Sequence, residues 1–173
     1  MKINSKKVAL TALFSALSLI TFVIESLLPP LFIPGARLGL SNVFILLTVI
    51  VLGWQYAFFC LIIKTVLGSL FAANVSTIMY SIPAGVISLT VQILLLYFTK
   101  KISVVAISVC GSVVNTFVQN VVFCLITGTT AYLAYAPYLV LIGSLSGVIV
   151  GFTIFLIVKK LPQNVLFKQR ERN

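Results

Sequence analysis

The sequence has no aspartate and no histidine, and its only acids are Glu25 and Glu171. Charged residues of both signs make up 8% of the chain, against roughly 25% in a soluble globular domain. Each shortage excludes a kind of chemistry. Mg²⁺ on phosphates needs carboxylate ligands, zinc sites draw on His, Cys and carboxylates, and general-base catalysis relies mainly on His, Asp and Glu. A membrane hydrolase would further need a nucleophile beside a positioned base. The sequence therefore predicts a protein that is not an enzyme, holds no metal and needs no cofactor. Cysteine is scarce as well. Cys60, Cys110 and Cys124 are odd in number, form no C-x-x-C pair and lie inside apolar runs, so they read as small core residues and not as a disulfide framework.

What is abundant is apolar: 61% of the residues are hydrophobic, the balance of a chain that lives in a bilayer. The formal net charge of +10 does not call for nucleic acid, because membrane proteins collect Lys and Arg on their cytoplasmic side. Met1 to Lys7 followed by an apolar stretch from Val8 to Ile24 imitates a secretory signal, but there is no persuasive small-x-small cleavage site, and Glu25 and further hydrophobic spans follow. The stretch reads as a first transmembrane helix. A crossing helix needs about 20 apolar residues, and charges, prolines and glycine-rich breaks divide the chain into spans at about 7–28, 39–53, 54–72, 76–98, 102–126 and 131–158. The second is short, and Val43 to Ile63 also reads as one uncharged helix through Gly53-Trp54-Gln55. Charge decides between five and six spans. Six spans put Lys2, Lys6, Lys7, Lys100, Lys101, Lys159, Lys160, Lys168, Arg170 and Arg172 on one side, whereas five would split the basic termini. The expected fold is all-α: a single transmembrane domain of six helices over 1–173, with both termini cytoplasmic, an outer loop at 29–38 and a basic tail at 161–173 that can lie on anionic lipid. A β-barrel is excluded because the runs are continuous, not alternating.

Small residues on two helices mark close packing. Ala9, Ala12 and Ala16 place a small-xxx-small element on the first helix, and Gly143, Gly147 and Gly151 form a longer ridge on the sixth. Three ionisable groups fall at or near membrane depth: Glu25 near the end of the first helix, Arg37 in the loop and Lys64 in the middle of the third helix. Burying such groups is expensive, so they are candidates for function, with a structural Glu25–Lys64 pair as the alternative. The fifth helix presents Ser108, Ser112, Asn115 and Gln119 on one face, with Thr116 and Asn120 beside it; the fourth presents Ser81, Gly85, Ser88 and Gln92, with Pro83 expected to loosen it. These stripes either hydrogen-bond across a dry interface or line a cavity opening outward. The loop, with Pro29, Pro30 and Pro34 and glycines at 35 and 39, specifies a fixed path. It is expected to fold over the bundle, bringing Arg37 to a cavity mouth and Ser41-Asn42 to a helix start whose amides hold an anion.

The Pro34-Gly35-Ala36-Arg37-Leu38-Gly39-Leu40-Ser41-Asn42 segment resembles the P-G-x-[KR]-L-G-L-x-N signature of bacterial membrane proteins called heptaprenyl diphosphate synthase component I, also grouped as Gx transporters. The six-span pattern, Glu25, the Tyr80-Ser81-Ile82-Pro83-Ala84-Gly85 run and Gly111 through Gln119 extend the resemblance. Asn115-Thr116 stands where that family has His-Asn, and Val118 where Gly is usual. The family is in turn similar to the substrate-binding S components of energy-coupling-factor (ECF) transporters. That resemblance implies a small-molecule ligand bound under the first loop, and Ala12 and Ala16 docked on a coupling transmembrane protein with cytoplasmic ATPases behind it. Two readings follow. One is the substrate-capture subunit of an importer for an anionic vitamin- or isoprenoid-precursor-like ligand, with Arg37 and Lys64 on the anionic part, Asn42, Asn115 and Gln119 orienting it, and Glu25 and Tyr80 completing the site. The other is a non-catalytic membrane subunit of a polyprenyl diphosphate synthase. Besides ligand and partner, membrane lipid is an expected contact and nucleic acid is not.

Overall fold

The computed structural model describes residues 5–27, 39–72, 75–99 and 102–160. The expected loop at 29–38, Arg37 within it, and the basic tail at 161–173 lie outside the described residues. The elements in chain order are α1 (Ser5–Leu27), α2 (Asn42–Val51), α3 (Trp54–Phe71), α4 (Ser76–Phe98), α5 (Val104–Thr127), a 3₁₀ segment (Thr130–Tyr135) and α6 (Ala136–Lys160). Five of the six α-helices, all but α2, are long and apolar enough to cross a membrane. Their outward residues agree: Leu13, Ile20, Phe59, Leu94, Leu145 and Phe152 are among many large apolar side chains that stand exposed. In water such a surface would aggregate; against lipid it is the stable one. The chain is a multi-pass membrane protein.

Within helices in an apolar medium, hydroxyl groups find partners in their own backbone. Thr48 donates to the Phe44 carbonyl (2.6 Å), Thr65 to Leu61 (2.8 Å) and Thr153 to Ile149 (2.8 Å). α5 starts on Ser103, whose Oγ accepts from Ala106 N at 3.2 Å, and it ends at Gly128 in the left-handed conformation.

α2 is a half-length helix. Its 10 residues span about 15 Å at 1.5 Å per residue, half of a hydrocarbon core of about 30 Å, and lie within the short second span expected at 39–53. α2 and α3 do not form one helix from 43 to 63. Leu52 ends α2, and Gly53 takes φ 107 before α3 begins at Trp54, a backbone region that residues with a Cβ rarely enter. α2 sits in the interior, with Leu46 and Thr48 almost fully buried, enclosed by α1, α3, α4 and α6. The sixth expected span divides too: the 3₁₀ segment occupies its first turns, and α6 follows.

α5 and α6 make the most extensive helix pair, and the glycine ridge explains it. A Cβ on Gly147 would lie 2.6 Å from the Val109 Cα, and one on Gly151 would lie 2.7 Å from the Val105 Cα. Glycine is what lets the two backbones meet, so the ridge has its neighbour within this chain. On the other side of α5, Ser88 of α4 donates to the Gly111 carbonyl at 2.7 Å, and the Gln92 amide fills the place of a Gly111 side chain. α4 itself runs through Pro83 without interruption. The cysteines divide: Cys60 and Cys124 are buried, but Cys110 is exposed on the outer face of α5, which corrects its assignment to the core.

The bundle has two chemically different ends. Leu10 and Phe14 of α1, Tyr56 of α3 and Ile157 of α6 pack together around Leu47, Val51 and Leu52 of α2. That end carries Lys6, Lys7, Lys159 and Lys160 and is called here the basic end. At the opposite, turn end, α1 finishes and α2 begins.

Candidate functional site

The site starts from the inward face of α1. Thr11, Ser15, Ser18, Phe22 and Glu25 are its buried residues, at steps of four, three, four and three, which is one face of a helix. Ser18 and Glu25 on this face hold the turn that opens α2. Ser18 Oγ donates to the Ser41 carbonyl at 2.9 Å, Leu40 N–H donates to Glu25 Oε1 at 2.5 Å, and Ser41 Oγ donates to Glu25 Oε2 at 3.4 Å. Asn42 N–H and Val43 N–H bond back to the Gly39 and Leu40 carbonyls, both at 3.0 Å, and Gly39 takes φ 71 to make the turn possible. The donors expected at this helix start thus have partners already: a carboxylate of the chain itself stands where an external anion was expected.

Asn42, the first residue of α2, accepts a hydrogen bond from Lys64 Nζ at 2.8 Å. Lys64 is only 6% exposed. Its ammonium also lies 5.7 Å from the centre of the Phe22 ring, within cation–π range, and Phe22 in turn occupies the space over Gly68. Glu25, 8% exposed, sits within the electrostatic field of Lys64. A buried ammonium is tolerable only where charge, amide oxygen and ring face replace its water; α1 supplies the charge (Glu25) and the ring face (Phe22), and α2 the amide oxygen (Asn42).

Around this core lies a cavity of about 40 Å³, lined by Glu25, Ser41, Asn42, Lys64, Thr65, Ser81, Gly85, Asn115 and Gln119 among others. It lies toward the turn end, where α1 ends, α2 begins and the second half of α5 passes. The volume admits a few waters, against the 300–1,000 Å³ of a pocket that encloses a drug-sized molecule. The polar stripes on α4 and α5 are divided by function along their length. Toward the basic end, Ser108, Ser112, Ser88 and Gln92 serve helix contacts; toward the turn end, Ser81, Gly85, Asn115 and Gln119 face the cavity.

Of the residues singled out in the sequence, Glu25, Asn42, Lys64, Asn115 and Gln119 meet around this one cavity. Arg37 lies outside the described residues. Tyr80 is corrected: it is buried, but it stacks edge-on against Phe123 (5.7 Å, 89°), which stacks on Tyr132 of the 3₁₀ segment (4.9 Å, 80°). One step along α4 turns the helix by about 100°, so Ser81 takes the cavity position and Tyr80 faces α5. Asn120 Nδ2 donates to the Tyr132 carbonyl at 3.2 Å and ties the same segment down. Ala12 and Ala16 stand on the exposed side of α1, away from the site. Sequence reasoning missed Ser18, Phe22 and Thr65; the signal for the first two was the regular spacing of small polar and aromatic residues ending at Glu25.

A family model described as heptaprenyl diphosphate synthase component I matches residues 14–157. Among curated proteins and among solved structures, nothing matches the chain. The family match runs from within α1 to the last turn of α6 and takes in every residue of the cavity, so the chain belongs to the heptaprenyl diphosphate synthase component I family.

Proposed function

We propose that this chain is the non-catalytic membrane component of a prenyl diphosphate synthase, working with a separate catalytic component. The observation that carries this reading is the family match over residues 14–157. The chemistry supports it. Transfer of a prenyl diphosphate calls for Mg²⁺ on carboxylates, while this chain has two acids, one of which, Glu25, is engaged by Leu40 and Ser41. The chain's part is then to hold lipid and partner at the membrane, with six helices traversing or entering the bilayer and both termini on the cytoplasmic side, as the lysine distribution favours. Prenyl transfer by the catalytic component, measured in vesicles with and without this chain, tests the proposal: a rise in rate or product length supports it, and equal rate and length end it.

A second reading is favoured by one observation, the buried Lys64–Asn42 pair in a polar cavity at the turn end. In that reading the chain captures an anionic small molecule for import, with Lys64 on the anionic group, Asn42, Asn115 and Gln119 orienting it, and the exposed Ala12–Ala16 face of α1 docked on a coupling membrane protein served by ATPases. At about 40 Å³ the cavity takes a ligand only after the helices part. Uptake of a labelled isoprenoid precursor by cells with and without the coupling module, together with co-purification of the two, decides it; failure of both removes this alternative.

A further inference from the structure

The six helices pack as two halves. In the first, α1, α2 and α3 are joined at the turn end by polar bonds: Ser18 donates to the Ser41 carbonyl, Leu40 and Ser41 donate to Glu25, and Lys64 donates to Asn42. In the second, α4, α5 and α6 are joined by backbone approach. Gly147 and Gly151 of α6 lie against Val109 and Val105 of α5, and a Cβ on Gly143 would fall 2.6 Å from the Thr116 hydroxyl. On the other side of α5, the Gln92 amide fills the space over Gly111, and Ser88 donates to the Gly111 carbonyl. Each of these bonds and close contacts stays within one half.

What joins the halves to each other changes along the bundle. Toward the basic end it is an apolar core. Leu61 of α3, Leu89 and Leu96 of α4, Ile107 of α5 and Val150 and Ile154 of α6 meet around α2, and each comes from the part of its helix nearer that end. Leu10 and Phe14 of α1 join Ile157 of α6 around Leu47 and Val51 of α2 in the same way. Toward the turn end the seam becomes the cavity, where Glu25, Asn42, Lys64 and Thr65 of the first half face Ser81, Gly85, Asn115 and Gln119 of the second. The bland account is a packing defect that holds water. A defect in a membrane bundle is lined by apolar side chains, because polar ones are costly at that depth. Here an ammonium, a carboxylate and two amides gather on the one part of the seam that the apolar core leaves out.

We propose that this cavity is the closed state of a cleft, which opens at the turn end as the two halves swing about the apolar core at the basic end. Opened, it presents Lys64 and Asn42 on one wall and Ser81, Asn115 and Gln119 on the other, a lining for a small polar molecule with an anionic group. For the ligand the proposal rests on the import reading; for the movement it rests on the packing alone. The movement accounts for a site whose closed volume, about 40 Å³, is far below that of a pocket enclosing such a molecule.

Thr65 and Ser41 report on the movement, because both line the cavity and each is only 1% exposed when it is closed. In full-length protein carrying Cys60→Ala, Cys110→Ala and Cys124→Ala, one cysteine is introduced as Thr65→Cys or Ser41→Cys. The protein is reconstituted in phosphatidylcholine vesicles and treated from one side at a time with a charged, membrane-impermeant maleimide. Thr129→Cys, at an exposed position in the connection after α5, marks the turn-end side. Ser108→Cys, at a buried position inside the second half where α5 meets α6, marks a place that the swing leaves closed. Thr65→Cys and Ser41→Cys are expected to react from the Thr129 side only, roughly 10- to 1,000-fold more slowly than Thr129→Cys, the range set by an open state populated at about 0.1–10%. Ser108→Cys is expected not to react. No reaction at either wall position beside a reactive Thr129→Cys, reaction from the lysine-bearing side, or equally fast reaction of Ser108→Cys overturns the proposal. Two wall positions are used, so loss of the fold in one variant leaves the other to decide. The labelling involves no ligand, which separates the two claims: turn-end labelling without uptake removes the importer and leaves the cleft, and uptake without labelling at either wall position overturns the cleft.

Discussion

Lys64 and Glu25 are expensive to bury, and what each touches explains why both persist. Glu25 binds the Leu40 amide and the Ser41 hydroxyl, Asn42 follows in the same turn, and Asn42 accepts from Lys64. The carboxylate therefore acts on the ammonium through the turn as well as through its field. Removing one member of a buried charged pair typically costs about 3–5 kcal/mol, because the other charge is left uncompensated. Glu25→Gln and Lys64→Met should each lower stability by about that much, and the double variant should be destabilised by less than the two together, with a coupling of about 1–3 kcal/mol. Thermal unfolding of the four proteins in one detergent measures this; strict additivity would mean that the two side chains do not cooperate. Asn42→Leu, which leaves Glu25 in place but removes the acceptor for Lys64, should cost less than Lys64→Met only if the cavity's water can reach the ammonium.

At the scale of elements, backbone approach governs stability. On α6, Gly147 faces the Val109 backbone, an atom that cannot rotate away, so Gly147→Val should force α5 and α6 apart and destabilise by about 1–3 kcal/mol or more. Gly128, with open space around it and φ 66, offers a control in which only backbone strain is at stake; Gly128→Ala should cost roughly 1 kcal/mol. Comparing unfolding midpoints orders the two, and a larger loss at Gly128 would contradict the packing account. Gly53, at φ 107, is the third such position: Gly53→Ala should strain the α2–α3 corner by about 1–3 kcal/mol and report whether that corner limits folding.

The same elements mark what could be read in advance. The long spans were legible because a run of about 20 apolar residues between charges has one physical meaning in lipid. α2 was legible only as a short helix within 39–53; its break from α3 was not, since Val43 to Ile63 is uncharged throughout and the break rests on the φ of Gly53. The glycine ridge announced a close neighbour but not which one. Lys64, Asn42, Asn115 and Gln119 were legible as polar groups at costly depth; Tyr80 was misassigned because proximity in sequence to Ser81 says nothing about which side of α4 it occupies. Ser18 and Phe22 share with Glu25 a regular spacing on one face of α1, but their partners, the Ser41 carbonyl and the Lys64 ammonium, lie on other elements that spacing within α1 does not name.

For the whole molecule, the two ends divide the chemistry. Ten of the twelve cations belong, by sequence, to the termini and to the α4–α5 connection, and the described ones among them, Lys6, Lys7, Lys159 and Lys160, lie at the basic end. The buried polar cavity is at the other. Such separation suits the proposed subunit, which meets lipid and a partner on one side and keeps its buried polar cavity on the other. The central claim is that this protein assists prenyl transfer without performing it. The most direct measurement is prenyl transfer in vesicles containing this chain alone, the catalytic component alone, and both, with rate and product length followed together. The account predicts no turnover by this chain alone and faster transfer or longer product when both are present; turnover by this chain alone, or identical rate and length with and without it, would contradict it.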